Sequence, residues 1–168
     1  MRKAILILVF ATVGVLCLLI FLKFKAASRM TEATSVHEFE LITLENDTVI
    51  FNKELYPGKL IFNFYSSDCT ICMAEMSDIV SFSRKYNIDV LFVTADSLND
   101  MRNFAKELNS LGMRDVDKIS FAKIDLQDAD KLFGDLTVPQ TIAFTENLNI
   151  RKIKKGIITS GILRKSFE

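Results

Sequence analysis

The chain has 168 residues, 49% of them hydrophobic, with 21 basic and 21 acidic side chains and no net charge. That length bounds it to about one domain. The balance is uneven: Arg2, Lys3, Lys23, Lys25 and Arg29 lie in or beside the first apolar run, so from Thr31 onward 16 basic residues face 21 acidic ones. That part carries −5 and has no basic stripe, which excludes nucleic acid as a partner.

Ala4 to Leu22 is uncharged and almost wholly apolar. As a helix these residues span roughly 28 Å, about the thickness of a bilayer core. A cleaved leader has a shorter apolar core and small residues at its cleavage site, whereas this run ends in Lys23-Phe24-Lys25, so residues 1–25 read as an uncleaved membrane anchor. Cys17 follows the bulky Leu16 inside the run and reads as one more apolar residue of the anchor. Basic residues flank both sides and do not settle orientation. A short N-terminal flank before a large C-terminal domain suggests an N-inside anchor. The domain is then extracytoplasmic, periplasmic in a bacterium, where disulfide chemistry is at home. Residues 26–36 are small and polar and read as a linker, leaving 37–168 as the folded domain.

Phe39 to Leu44 and Thr48 to Phe51 flank Glu45-Asn46-Asp47 and read as a β-hairpin. After the Pro57-Gly58 break, Leu60 to Tyr65 reads as a strand. Met73, Met76, Ile79, Val80 and Phe82 recur at helical spacing up to Tyr86, with Ser66, Ser67 or Asp68 placed to cap that helix. Val90 to Val93 is short and apolar enough for a buried central strand. A helix is expected from about Leu98 to Leu111, a strand from Ile119 to Ile124, a short helix from Asp128 to Phe133 ended by Gly134, and a closing hairpin of Thr141 to Phe144 with Ile150 to Ile153. Strands alternating with helices and ending in a hairpin predict an α/β fold, a mixed sheet with helices on both faces. Arg151, Lys152, Lys154 and Lys155 read as a solvated strand edge, where lysine blocks unwanted pairing.

Cys69-Thr70-Ile71-Cys72 joins the strand to the first helix. Two thiols at that spacing form a reversible disulfide. At the first helical turn, unpaired N–H groups and the helix dipole favour thiolate over thiol, which makes Cys69 the candidate nucleophile. Cys72, one turn deeper, is placed to resolve the mixed disulfide that Cys69 forms. Zinc needs about four ligands, and beyond this pair the domain offers only His37, which reads as a surface residue, so no metal is expected. Heme attachment needs histidine directly after the second cysteine, where Met73 stands.

Gly58-Lys59, then Phe64-Tyr65-Ser66-Ser67-Asp68-Cys69-x-x-Cys72-x-x-Glu75-Met76, then Val138-Pro139-Gln140-Thr141 fall in thioredoxin-fold order. From Phe39 to about Ile158 the chain resembles the membrane-anchored TlpA-type thiol-disulfide oxidoreductases. The peroxiredoxin signature is absent from Phe64 to Asp68.

The resemblance implies a cis bond before Pro139, with Pro139 packed on the disulfide and Val138 offering its backbone to a bound substrate. It implies that Glu75 influences the thiols, either raising a thiol's pKa or serving as a base; the plain alternative is a solvated helix glutamate. It further implies protein thiol or disulfide substrates, a membrane-embedded electron donor, no cofactor beyond the cysteine pair, and reduction as the direction. Three departures stand out. Asp68 replaces the tryptophan usual before the first cysteine, where it either caps the helix or opposes the thiolate, and Ser77 replaces a frequent proline. Thr159 to Glu168 is short for a terminal helix, so one sheet face is expected to be thinly covered. The alternative function is a non-catalytic scaffold whose disulfide is structural.

Overall fold

Runs such as Leu60-Ile61-Phe62 and Val90-Leu91-Phe92-Val93 put apolar side chains on both sides of an extended backbone, and such strands are stable only where helices cover both sheet faces. The computed structural model describes residues 14, 38–112, 118–134 and 136–168, and those from 38 onward belong to one compact unit, 34–168. In chain order its elements are β1 Phe39–Thr43, β2 Thr48–Phe51, β3 Leu60–Phe64, α1 Thr70–Tyr86, β4 Asp89–Thr94, α2 Leu98–Ser110, β5 Ile119–Lys123, α3 Leu126–Phe133, β6 Gln140–Phe144, β7 Ile150–Lys155 and α4 Ser160–Phe167. The expected anchor at 1–25 with Cys17, the linker at 26–36 and His37 lie outside the described residues. Among those described, no helix is long and apolar enough to cross a membrane.

The strands form one sheet in the order β2-β1-β5-β4-β3-β6-β7. β3, β4 and β5 run parallel, and β1, β2, β6 and β7 join by antiparallel pairing. The mixed sheet and both hairpins therefore form where the alternation of strand and turn signals places them. Side chains alternate across the pleat. Ile61, Val90, Phe92 and Phe121 meet α1, α2 and α4 on one face, while Leu60, Phe62, Leu91, Val93 and Phe144 meet α3 and the β1–β2 hairpin on the other. The second face is dense in rings: Phe39 stacks on Phe51 at 4.6 Å between centroids, and Phe62 meets Phe133 at 5.0 Å.

The basic run falls on β7, the last strand of the sheet. At the chain end α4 is short but docked, with Leu163 wholly buried and Phe167 stacked against Phe82. Beyond it a cleft of about 530 Å³ opens between Lys59, Phe82, Tyr86, Lys118, Arg164 and Phe167, so α4 completes the face it shares with α1 and α2 except at this end.

Candidate active site

β3 ends against β4, with Tyr65 N donating to the Val93 carbonyl at 2.9 Å, and the chain then turns through Ser66 to Cys69, whose N–H returns to the Ser66 carbonyl at 3.1 Å. Cys69 is itself the N-cap of α1: its backbone is extended and its Sγ accepts from Cys72 N at 3.2 Å. The expected cap at Ser66, Ser67 or Asp68 is thus one to three residues early. The reason is that the two serine hydroxyls are turned to a different acceptor, Asp96, and Asp68 accepts from Ser66.

Cys69 and Cys72 form a disulfide with their Cα atoms 5.3 Å apart. The pair is asymmetric, since Cys69 is half-buried and Cys72 is 1% exposed. An incoming thiolate or disulfide reaches Cys69 and is screened from Cys72 by the fold itself.

Residues three apart on a helix share a face, and one turn below Cys72 that face carries Glu75, 3% exposed. It is not a solvated helix glutamate. Its Oε1 accepts from Asn63 Nδ2 at 2.8 Å and from Thr141 Oγ1 at 3.3 Å, and its Oε2 accepts from Ile158 N at 2.9 Å. Asn63 Nδ2 also donates to Thr141 Oγ1 at 2.9 Å. Burial pushes the Glu75 carboxyl above its ordinary range, and the three hydrogen bonds offset this only in part.

The β3–β6 register pairs Phe64 with Gln140, which sets Pro139 and Val138 at the same sheet end as the Ser66–Cys69 turn. The Val138–Pro139 bond is cis. Pro139 is buried, and its carbonyl accepts from Gly156 N at 2.8 Å. Val138, 42% exposed, Ile71, 52%, and Ile157, 55%, leave apolar surface at this end of the sheet. Among the described residues no group of three or more His, Cys, Asp or Glu could hold a metal ion.

The chain matches no protein-family model and no curated protein. Solved structures do resemble it. The pneumococcal exposed lipoprotein thioredoxin Etrx1 of Streptococcus pneumoniae is 19% identical over 78% of this chain and 98% of its own, with a TM-score of 0.57. StoA of Bacillus subtilis is 18% identical over 82% and 100%, with a TM-score of 0.58. A DsbF homologue from Corynebacterium diphtheriae is 18% identical over 81% and 86%, with a TM-score of 0.64.

The fold is thioredoxin-like.

Within that fold the structure brings together the six residues singled out in the sequence: Cys69, Cys72 and Glu75 along one helix, Asp68 just before it, and Val138 and Pro139 at the same end of the sheet. It adds three that sequence reasoning missed, Asn63, Asp96 and Thr141. Asn63 had a signal, as the one amide in an otherwise apolar central run. Asp96 had none beyond its place in Ala95-Asp96-Ser97, because its partners lie 29 and 30 residues away. Burial opposes the charge of Asp96, but bonds from the Ser67 backbone and hydroxyl, and from Thr94 and Ser66, outweigh it and hold this carboxyl below the usual range.

Proposed function

We propose that the chain is a thiol-disulfide oxidoreductase acting on protein partners through Cys69 and Cys72. The observation that carries this reading is the asymmetric disulfide at the start of α1, with one sulfur accessible and the other buried. In the reducing direction the Cys69 thiolate attacks a client disulfide, forming a mixed disulfide as one client sulfur leaves as thiolate. Cys72 then loses its proton and attacks Cys69. The Cys69–Cys72 disulfide forms, the second client thiol is released, and two electrons have passed to the client. A dithiol donor restores the pair by the same exchange in reverse.

Glu75 is the group placed to take the Cys72 proton, because a carboxyl raised by burial accepts protons nearer neutrality than an exposed one. Val138 and Pro139 border the surface where the client segment lies. The uncharged run from Ala4 to Leu22 supports a membrane-anchored protein whose domain lies outside the cytoplasm and draws electrons from a membrane-embedded thiol carrier. Reduction is the direction we infer, from the resemblance to the TlpA-type group.

Two measurements on the purified full chain test this. Equilibration with dithiothreitol or glutathione buffers gives the reduction potential: about −270 mV fits a reductase and about −120 mV an oxidant. A pair that does not exchange at all overturns the enzyme and leaves the scaffold. Cys72→Ala is expected to trap a mixed disulfide on Cys69, seen on a non-reducing gel; equal trapping by Cys69→Ala refutes the assigned roles.

A further inference from the structure

Asp96 lies just beyond β4, outside the motif that carries the cysteines, yet its carboxylate accepts three hydrogen bonds from the turn that precedes them. Its Oδ2 accepts from Ser67 N at 2.6 Å, from Ser67 Oγ at 2.7 Å and from Ser66 Oγ at 3.2 Å. Its own loop is fixed from below: Asp96 N donates to Thr94 Oγ1 at 3.1 Å, and Lys123 Nζ donates to the Asp96 carbonyl at 2.9 Å and to the Ala95 carbonyl at 3.4 Å. The turn from Ser66 to Cys69 is thereby tied to the neighbouring strand end by a charge-assisted clamp. Such bonds are roughly twice as strong as neutral ones.

The same geometry concentrates charge. Ser66 Oγ has one proton to donate, and both Asp68 Oδ1, at 2.5 Å, and Asp96 lie within its reach. Two carboxylates around one hydroxyl stand within about 6 Å of each other. Asp68 directly precedes Cys69, and Asp96 is bonded to the turn that leads into it, and negative charges placed about a thiol disfavour a further one. Other titratable groups face this end of the sheet. Asp100 and Glu107 line a cleft of about 240 Å³ with Ser67 and Asp68, Glu75 and Tyr65 are buried beneath, and the ammonium of Lys123 is engaged by the two backbone carbonyls.

We propose that Asp96 is a positioning residue of the Cys69 site: through Ser66 and Ser67 it fixes the turn that delivers the sulfur to the start of α1, and with Asp68 it opposes the thiolate there. Cys69 is then held in the geometry for ring closure with Cys72 while its proton affinity is set above what the helix terminus alone would give. Asp96 exchanges no electrons or protons in this role. It acts only through the placement and charge of its carboxylate. The proposal deepens the oxidoreductase reading and rests on it for biological meaning.

The two contributions separate in two variants of the full chain. Asp96→Asn keeps an oxygen for the Ser67 N–H and removes the charge; Asp96→Ala removes both. Alkylation of the reduced chain by iodoacetamide across pH reports the thiolate of Cys69, and Asp96→Asn is expected to lower its midpoint by about half a unit, giving about threefold faster alkylation below it. Equilibration with dithiothreitol at a pH below the thiol titration reports ring closure. Asp96→Ala is expected to shift that equilibrium about tenfold towards the dithiol, or about 30 mV, and Asp96→Asn by less than twofold. An Asp96→Asn chain that alkylates like the parent, or an Asp96→Ala chain with the parent's equilibrium, overturns the proposal. If Asp96→Ala does not fold, Ser67→Ala must move the equilibrium the same way about threefold and leave the alkylation midpoint unchanged. Neither measurement uses a client, so a chain that exchanges with no client protein sinks the oxidoreductase reading without touching these results.

Discussion

Replacing Glu75 gives the most direct measure of the buried network beneath the cysteines. Glu75→Ala removes the acceptor of the Ile158 N–H and of the Thr141 hydroxyl, and one of the two acceptors of Asn63 Nδ2. An orphaned buried donor costs about 1–3 kcal/mol and the lost methylene about 0.8 kcal/mol, so the oxidised chain is expected to lose about 3 kcal/mol. Glu75→Gln is different. Asn63 Oδ1 has no partner among the described residues, so turning that amide over lets it accept from the new carboxamide while the carboxamide oxygen keeps the Ile158 N–H. The expected cost is about 1 kcal/mol at most. The sign of the pH dependence follows from the raised carboxyl of Glu75. The folded state holds this proton more tightly than the unfolded state, so parent stability falls as pH rises from the ordinary value of 4.5 through the raised one. Each unit of displacement amounts to about 1.4 kcal/mol. The carboxamide does not titrate, so the gap between parent and Glu75→Gln must narrow with rising pH across that window. Urea midpoints of both oxidised chains, taken at a series of pH values, measure the gap, and parallel curves refute the reasoning.

Two further substitutions probe the frame that holds the site. Leu163→Ala hollows the contact between α4 and the sheet, where Leu163 is wholly buried, and is expected to cost about 3 kcal/mol by urea unfolding; a loss below about 1 kcal/mol would mean that α4 is not docked through this side chain. Asn87 closes α1 at φ 56 with its N–H on the Ser83 carbonyl, a conformation that glycine adopts freely and alanine does not. Asn87→Gly is therefore expected to be neutral within about 0.5 kcal/mol and Asn87→Ala to cost about 1 kcal/mol, and equal effects would refute the left-handed cap.

The sheet was legible because its strands are the simplest case for pattern reading. Leu60 to Phe64 and Val90 to Val93 are too short for helices and too apolar for edges, so the central strands follow from composition alone. The cysteine pair was legible because four residues of sequence carry it. The environment of the pair was not, because hydrogen bonds across the sheet leave no mark on local spacing. Helical spacing alone makes Glu75 one more charged helix residue; the resemblance singled it out, and the antiparallel register that sets Asn63 beside Thr141 shows that it faces two strands. The start of α1 was misplaced for a related reason: Ser66 and Ser67 are ordinary capping residues until Asp96, from another loop, draws their hydroxyls towards itself and away from the helix start.

The cost of this arrangement is localised. Four buried side-chain atoms lack a partner among the described residues, and three of them, Asn63 Oδ1, Tyr65 OH and Gln140 Nε2, lie where β3 ends and β6 begins. Tyr65 shows why this end is special. Burial first, and the nearby charge of Asp96 second, push its hydroxyl well above the ordinary range and keep it protonated, yet the proton has no acceptor. Each such group costs about 1–3 kcal/mol, a sum that a chain selected for stability alone would remove by apolar substitution. Elsewhere the same strands are filled with phenylalanine, leucine, isoleucine and alanine. Local rules broken together at one sheet end, beside an accessible sulfur, are what a site maintained for chemistry leaves in a fold. By that argument Tyr65→Phe, which removes an unpartnered hydroxyl and nothing else, should leave the chain at least as stable as the parent while changing the rate of disulfide exchange, and a stability loss without a change in rate would make this hydroxyl an ordinary part of the core.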